Sequence, residues 1–204
     1  MAQQLPATPS VAPGSADPAP LGLSGLALTT FVLSVVNAGI IIPHPLGNQT
    51  IFIGVAVFYG GLALILAGMW EFRAGNTFNA TAFTSYGAFW LSLAAVFIPG
   101  FGIGSTLKDA RPAVGLVLLG WTIFTGLMTL GAYRRNGALL AVFVALFLAF
   151  LALTIGFLGT NTRWIQIGGW LGIITALLAW YTALAGIMTS VSNGKIALPV
   201  FPLS

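Results

Sequence analysis

The amino-acid sequence predicts an all-α polytopic membrane protein that crosses a lipid bilayer six times. Of its 204 residues, 58% are hydrophobic and only 5% are charged, and the mean hydropathy is +1.01. A water-soluble core cannot bury that much apolar surface in so short a chain, so lipid must be its solvent. The apolar residues form six runs of about 20, the length that a helix needs to cross roughly 30 Å of hydrocarbon.

The order of elements along the chain follows from these runs. Residues 1–16 are rich in Ala, Pro and Ser and lack the features of a cleavable signal peptide, so we expect a disordered tail. The predicted spans cover residues 22–42, 50–70, 79–98, 113–132, 138–158 and 164–190. Segments rich in Gly, Pro, Asn and charged residues separate them, as is typical of turns. Residues 17–190 therefore form one membrane domain, followed by a short C-terminal tail, residues 191–204.

An even number of spans places both chain termini on the same side of the membrane. That side would carry four basic residues and the other side three, so the positive-inside rule narrowly favours cytoplasmic termini. We expect a plasma membrane or a bacterial inner membrane. Glu71 and Arg73, at the end of the second span, are interpreted as interfacial anchors.

The scarcity of reactive side chains excludes several classes of function. The chain has no cysteine, one histidine and three acidic residues, too few for a metal site or a Ser-His-Asp triad. We therefore expect no enzymatic activity, no cofactor and no metal. No ionisable residue lies near the centre of a span, which argues against a proton-relay pump. The seven basic residues form no continuous patch, so a nucleic-acid partner is not expected.

Hydroxyl and amide side chains follow one face of several spans. Leu26, Thr30, Ser34 and Asn37 fall on one side of the first helix at 100° per residue, and Thr81 and Ser85 do so in the third. Such faces can line a weakly polar conduit, or their hydroxyls can simply bond the carbonyl one turn earlier. The candidate pathway-lining residues are Thr30, Ser34, Asn37, Thr81, Thr84 and Ser85.

Five strings in the sequence resemble the acetate uptake transporter family, and the resemblance covers the chain after its N-terminal tail. The first string departs from the family pattern at Asp17, where relatives usually have Asn. The strings are Asp17-Pro18-Ala19-Pro20-Leu21-Gly22-Leu23, Asn37-Ala38-Gly39, Phe58-Tyr59-Gly60-Gly61, Gly75-Asn76-Thr77-Phe78 and Thr81-Ala82-Phe83-Thr84-Ser85-Tyr86-Gly87-Ala88-Phe89-Trp90. The first also has a plain physical role, because Asp and Pro favour the start of a helix.

The resemblance implies a hexamer of six-helix protomers, each with its own pathway for acetate and related short carboxylates. It also implies a constriction formed by Leu26, Tyr86 and Leu146, where relatives often have Phe at the position of Leu26. The ring of Tyr86 would narrow the path, and its phenol could donate a hydrogen bond to a carboxylate.

The expected function is thus a membrane channel or facilitator for short carboxylates, with the lipid bilayer and sister protomers as its other partners. Two alternatives stay open. One is a conduit for a small neutral solute such as water, ammonia or urea. The other is a non-transporting membrane scaffold in which the polar faces serve only helix packing.

Overall fold

Six helices long and apolar enough to cross a membrane confirm the predicted all-α fold. The computed structural model describes residues 16–40, 51–101 and 110–203, and within these ranges there is no β-strand. The helices are α1 (Ala19–Ala38), α2 (α-helical over Ile51–Val57 and Leu64–Arg73 with a π-helix, Phe58–Ala63, between), α3 (Thr77–Phe97), α4 (Ala110–Ala132), α5 (Gly137–Leu158) and α6 (Thr162–Val191).

The first helix begins and ends earlier than predicted. It ends at Ala38 because Gly39 adopts a left-handed conformation (φ 73°), and the Gly39 N–H donates to the carbonyls of the helix's last turn. It begins at Ala19, directly after Pro18. The tail predicted to be disordered lies outside the described residues except for Ala16, as do residues 41–50 and 102–109.

Small residues set how closely the helices approach one another. Helix α6 contacts both α1 and α5, α4 packs on α5, and α2 packs on α3. Gly172 of α6 lies directly against the Ser34 hydroxyl of α1, and Gly169 lies against the backbone of Ala38. Without a hydrophobic effect between helices in lipid, such close backbone contact supplies the packing energy.

The π-helical segment of α2 brings a second pair of backbones together. A Cβ on Gly25 of α1 would lie 2.9 Å from the Tyr59 carbonyl oxygen, and one on Gly87 of α3 would lie 2.9 Å from that of Gly61. Gly60 and Gly61 of α2 in turn lie against the side chains of Thr29 in α1 and Leu91 in α3, so glycines on all three helices let α2 fit between α1 and α3. Segments of π-helix inside α-helices occur frequently at functional sites.

The outward faces of the helices are apolar. On α4, for example, 66% of Leu116, 60% of Ile123 and 74% of Leu130 are exposed in the isolated protomer. Leucine and isoleucine on such a continuous face require lipid or another apolar surface against them.

The C-terminal segment folds back onto the start of α5. The N–H groups of Gly137 and Ala138 donate to the carbonyls of Phe201 (2.7 Å) and Val200 (3.1 Å). The Tyr181 hydroxyl of α6 donates to the Pro199 carbonyl at 2.8 Å. These bonds hold residues 199–201 against the end of the bundle at which the described chain begins and ends.

Candidate pathway through the bundle

Two cavities enter the bundle from opposite ends. The proximal cavity, about 540 Å³, opens on the side of both chain ends and is lined by Asp17, Asn79 and Arg135 among others. The distal cavity, about 520 Å³, opens at the other end and is lined by Asn37, Arg111 and further residues from α1, α3, α4, α5 and α6. The helix termini that meet at each mouth place polar side chains there.

An apolar neck separates the two cavities. On α1 the proximal cavity reaches Leu23 and the distal cavity begins at Thr30, and on α5 the corresponding residues are Leu139 and Leu146. Seven residues of helix span about 10 Å. Among the side chains buried at this level, we call Leu26, Phe83, Tyr86, Val142 and Phe143 the neck.

The three residues predicted to form a constriction lie at two levels. Leu26 and Tyr86 belong to the neck, where both are almost fully buried. Leu146 is also buried, but its side chain lines the distal cavity. A solute moving between the cavities would therefore pass Leu26 and Tyr86 and meet Leu146 at the neck's distal edge.

Tyr86 is fixed by a hydrogen bond and an aromatic cage. The Thr125 hydroxyl donates to the Trp121 carbonyl at 2.7 Å, so the 2.9 Å contact between the Tyr86 and Thr125 hydroxyls must use the phenol proton. The Tyr86 ring lies 5.6 Å from that of Phe124 and 5.7 Å from that of Trp121. The phenol therefore offers a lone pair to a solute, and donating its proton would require the bond to Thr125 to break.

This arrangement makes the two partners unequal on substitution. Thr125→Val leaves the buried phenol without an acceptor, which costs about 1–3 kcal/mol, whereas Tyr86→Phe leaves Thr125 still bonded to the Trp121 carbonyl. We expect thermal unfolding in detergent to show a clear loss of stability for Thr125→Val and a smaller one for Tyr86→Phe. Equal losses would contradict the assigned direction of the bond.

The polar face predicted for the first helix turns toward the distal cavity. Thr30, Ser34 and Asn37 all line it. Thr30 is 7% exposed, and its hydroxyl has no hydrogen-bond partner in the described part of the chain. A buried polar group in that state points to a ligand or to water.

The candidates on the third helix lie elsewhere. Thr81, Thr84 and Ser85 are half-buried and line neither of the two cavities. The Thr84 hydroxyl is packed against Gly68 of α2 and has no partner among the described residues. Their assignment to a pathway remains a prediction from the sequence.

Threonines of α4 follow the alternative of bonding within their own helix. Thr122 donates to the Leu118 carbonyl (2.8 Å) and Thr129 to the Thr125 carbonyl (2.7 Å). Thr122 also accepts from Thr154 of α5, at 3.0 Å. The hydroxyl protons of Thr122 and Thr129 are thus used within α4, and neither is left to donate to a solute in a pathway.

Sequence reasoning missed Trp90. Its indole lines the distal cavity, is 3% exposed, and its Nε1–H has no acceptor among the described residues. Phe89 and Phe150, whose ring centroids are 5.3 Å apart, complete an aromatic wall beside it. The residue stands in one of the recognised strings, but a tryptophan in an apolar span does not reveal from sequence that its N–H lacks a partner.

Glu71 is not the interfacial anchor that the sequence suggested. Only 2% of it is exposed, and the side-chain amide of Asn79 donates to its Oε1 at 2.9 Å. The interfacial interpretation fails because the start of α3 covers the last turn of α2.

Within residues 16–40, 51–101 and 110–203, no group of three His, Asp or Glu side chains could hold a metal ion.

The signature at the start of α1, whose N-cap residue is Pro18, combines a hydrogen bond between Asp17 and the first helical N–H with close packing. The Asp17 carboxylate accepts from the Ala19 N–H at 2.9 Å, and the Pro18 carbonyl accepts from the Gly22 N–H at 3.2 Å. A side chain on Gly22 would overlap the Phe83 ring, and Pro20 lies beside Gly186 of α6. Asp17 and Pro20 also line the proximal cavity.

The profile of the GPR1/FUN34/yaaH family matches residues 2–204. The chain belongs to this family. The membership confirms the resemblance to acetate transporters that the sequence strings indicated. A solved structure, that of the bacterial acetate channel SatP, matches this one with a TM-score of 0.83 at 36% identity, covering 91% of this chain and 99% of that one.

Similar sequences occur in bacteria and fungi. The succinate-acetate/proton symporter SatP of Escherichia coli K12 is 38% identical over 188 residues, which cover 91% of this chain and 95% of that protein. Acetate permease A of Emericella nidulans is 46% identical over 205 residues, covering 93% and 67%. The ammonia transport outward protein 2 of Saccharomyces cerevisiae is 44% identical over 195 residues, covering 92% and 67%. The chain spans about two thirds of the length of the fungal relatives.

Proposed function

We propose that this multi-pass membrane protein carries acetate and related short carboxylates through a pathway inside each protomer. The observation that carries the proposal is the pair of cavities that enter one six-helix bundle from opposite ends and stop about 10 Å apart at an apolar neck. The names of the bacterial symporter and of the fungal acetate permease support the choice of substrate. No covalent chemistry enters the mechanism.

The distal cavity can bind a carboxylate weakly. Its wall is mostly aromatic and aliphatic, with Arg111 at the mouth. Two of the donors that line it, the Thr30 hydroxyl and the Trp90 N–H, are buried without partners in the described chain. Two neutral donors can replace part of the water around a carboxylate without holding it tightly, which allows rapid release.

Radiolabelled acetate uptake into proteoliposomes tests the proposal directly. We expect uptake above that of protein-free liposomes, reduced by excess unlabelled acetate. Water or ammonia flux without acetate flux would favour the neutral-solute alternative, to which the name of the yeast ammonia transport protein gives some support. If none of these solutes crossed the membrane, the result would favour the hypothesis of a non-transporting membrane scaffold.

Removing the free donors should slow acetate. Thr30→Val deletes one donor with little change of volume, and Trp90→Phe deletes the other while keeping an aromatic ring. We expect acetate flux to fall about tenfold in each, equivalent to ~1.4 kcal/mol in the barrier. Initial rates in proteoliposomes give the measurement. Thr29→Val is the matched control, because Thr29 donates to the Gly25 carbonyl and lines neither cavity. A similar loss in the control would assign the effect to packing.

We propose that six protomers assemble, each with its own pathway. The exposed apolar faces of helices such as α4 can be covered by lipid or by sister protomers. Native mass spectrometry of the detergent-solubilised protein should show the mass of a hexamer.

We also propose a plasma membrane or bacterial inner membrane location with both termini in the cytoplasm. Arg134, Arg135 and Lys195 lie at the same end of the bundle as the chain ends, in line with the positive-inside rule. Because the chain has no cysteine, single cysteines at Ser192 and Phe101 can be labelled from one side of the membrane to test the orientation.

A further inference from the structure

The buried carboxylate of Glu71 is hydrogen-bonded by the neutral amide side chains of Asn79 and Asn76. It sits in the last turn of α2 and accepts a hydrogen bond from Asn79 Nδ2 of α3 at 2.9 Å. Within the described part of the chain, no Lys, Arg or His forms a salt bridge with it. A buried carboxylate without a salt bridge is costly in its ionised form. Its protonation state therefore affects the hydrogen bonds of the groups around it.

Asn79 stands between Glu71 and the proximal cavity. Its side chain lines that cavity, whereas Glu71 does not. The start of α3 holds Asn79 in place, because its backbone N–H donates to Asn76 Oδ1 at 3.4 Å. Arg135 Nη2 donates to the same oxygen at 3.3 Å.

The other charged groups around this site face the cavity. Asp17 approaches from the start of α1 and Arg135 from the turn between α4 and α5, and both line the cavity. Arg73, on the same helix as Glu71, lies over the Trp70 ring at 5.6 Å. The side chains hydrogen-bonded to the Glu71 carboxylate are thus the amides of Asn79 and Asn76, neither of which carries a charge of its own.

An amide can present either of two ends to its neighbour. An ionised carboxylate only accepts hydrogen bonds, so it must face the NH₂ group of Asn79 and leave the amide oxygen on the other side. A protonated carboxylic acid can instead donate to the amide oxygen, which turns the NH₂ group away from Glu71. An anion in the cavity is repelled by the oxygen and bound by the NH₂ group.

We propose that Glu71 and Asn79 form a proton-controlled switch in the proximal cavity, in which a proton taken up by Glu71 turns the Asn79 amide so that its NH₂ group binds the incoming carboxylate. The inference rests on the proposed function, since it assumes that carboxylates enter this cavity. The reaction is the uptake of one proton from water by the Glu71 carboxylate, with no other bond made or broken. Binding of proton and anion is then mutually favourable.

Acetate flux at different pH tests the switch. The full-length protein in liposomes, with the membrane voltage clamped by potassium and valinomycin, is assayed between about pH 5.5 and 7.5, where acetate stays mostly ionised. The half-saturating acetate anion concentration of the wild type should rise about tenfold across this range, a typical coupling between two sites. Glu71→Gln should reduce that change to less than about twofold.

Two further variants separate the switch from simple charge effects. Asn79→Ala keeps the carboxylate but removes the amide, so the switch predicts that the pH dependence is lost, whereas repulsion by the Glu71 charge alone would preserve it. Arg73→Gln is the control, because it removes a nearby charge from the same helix turn. It should keep the wild-type pH dependence. Wild-type dependence in either Glu71→Gln or Asn79→Ala overturns the switch while leaving acetate transport intact.

An infrared titration supplies a readout that does not depend on flux. The carbonyl band of protonated Glu71 is assigned by its loss in Glu71→Gln, and acetate labelled with ¹³C at its carboxyl keeps the ligand's own band apart. Saturating acetate should move the titration midpoint to higher pH by about one unit, the reciprocal of the tenfold affinity change. An unmoved midpoint in a protein that transports acetate overturns the switch alone. Absence of acetate flux at every pH, with an unmoved midpoint, overturns both proposals.

Discussion

Replacing Leu26 by alanine should raise the flux of carboxylates larger than acetate, relative to that of acetate, by about tenfold, equivalent to ~1.4 kcal/mol in barrier height. Leu26 is buried in the neck at the level of Tyr86. Removing most of its side chain widens the neck without adding charge. Initial uptake rates of labelled acetate and butyrate into proteoliposomes give the ratio for each variant.

Leu64→Ala is the matched control for this experiment. Leu64 is as fully buried as Leu26, but it lies in α2 and lines neither cavity. Substitution of a buried leucine by alanine costs about 2–5 kcal/mol in the cores of water-soluble proteins, so both variants should lose stability. Only Leu26→Ala should change selectivity. Leu26→Phe, which places a larger side chain in the neck, should act in the opposite direction. Selectivity that stays constant from Phe to Ala at this position would remove Leu26 from the pathway.

The six helices were predictable because lipid imposes one simple rule. A span needs about 20 apolar residues with every backbone group bonded internally, and this rule gives the number and order of α1–α6 from hydropathy alone. The errors occur at ends that depend on local chemistry, such as the left-handed Gly39 that stops α1. A glycine in an apolar run gives no sign of whether it will end the helix or pack against another.

The polar faces were predictable only in part. Periodicity grouped Thr30, Ser34 and Asn37 on one side of α1, and all three line the distal cavity. It says nothing about which neighbour covers each face, so it does not distinguish Thr30 from Thr122, which bonds the Leu118 carbonyl. That distinction depends on tertiary contacts.

Glu71 and Trp90 show why the remaining site residues escaped prediction. Glu71 stands next to interfacial residues in sequence, and only the packing of α3 shows that its carboxylate is buried against Asn79. Trp90 has an apolar body and one N–H, and the missing partner of that N–H is a property of the cavity around it. Neither fact is contained in residue spacing.

Replacing Gly169 by leucine should prevent the protein from folding. A Cβ at this position would overlap the backbone nitrogen of Ala38 and lie 2.8 Å from its Cα. Backbone atoms cannot rotate away, so α1 and α6 would have to separate. The interface between these two helices contributes both Thr30 and Gly172 to the distal cavity. Even alanine should destabilise the fold by about 1–3 kcal/mol, as overpacking does in other cores.

Gly120→Leu provides the matched comparison. Gly120 lies in α4, is exposed, and a Cβ there meets no atom within 4 Å. Replacing a helical glycine at an open position gains up to about 1 kcal/mol in helix propensity, so this variant should be as stable as the wild type or more so. Size-exclusion chromatography and tryptophan-fluorescence melting in detergent measure both variants. A leucine side chain has no space between two backbones in contact. If Gly169→Leu nevertheless gave a monodisperse protein with the wild-type melting temperature, the close approach of α1 and α6 could not be what holds these two helices together.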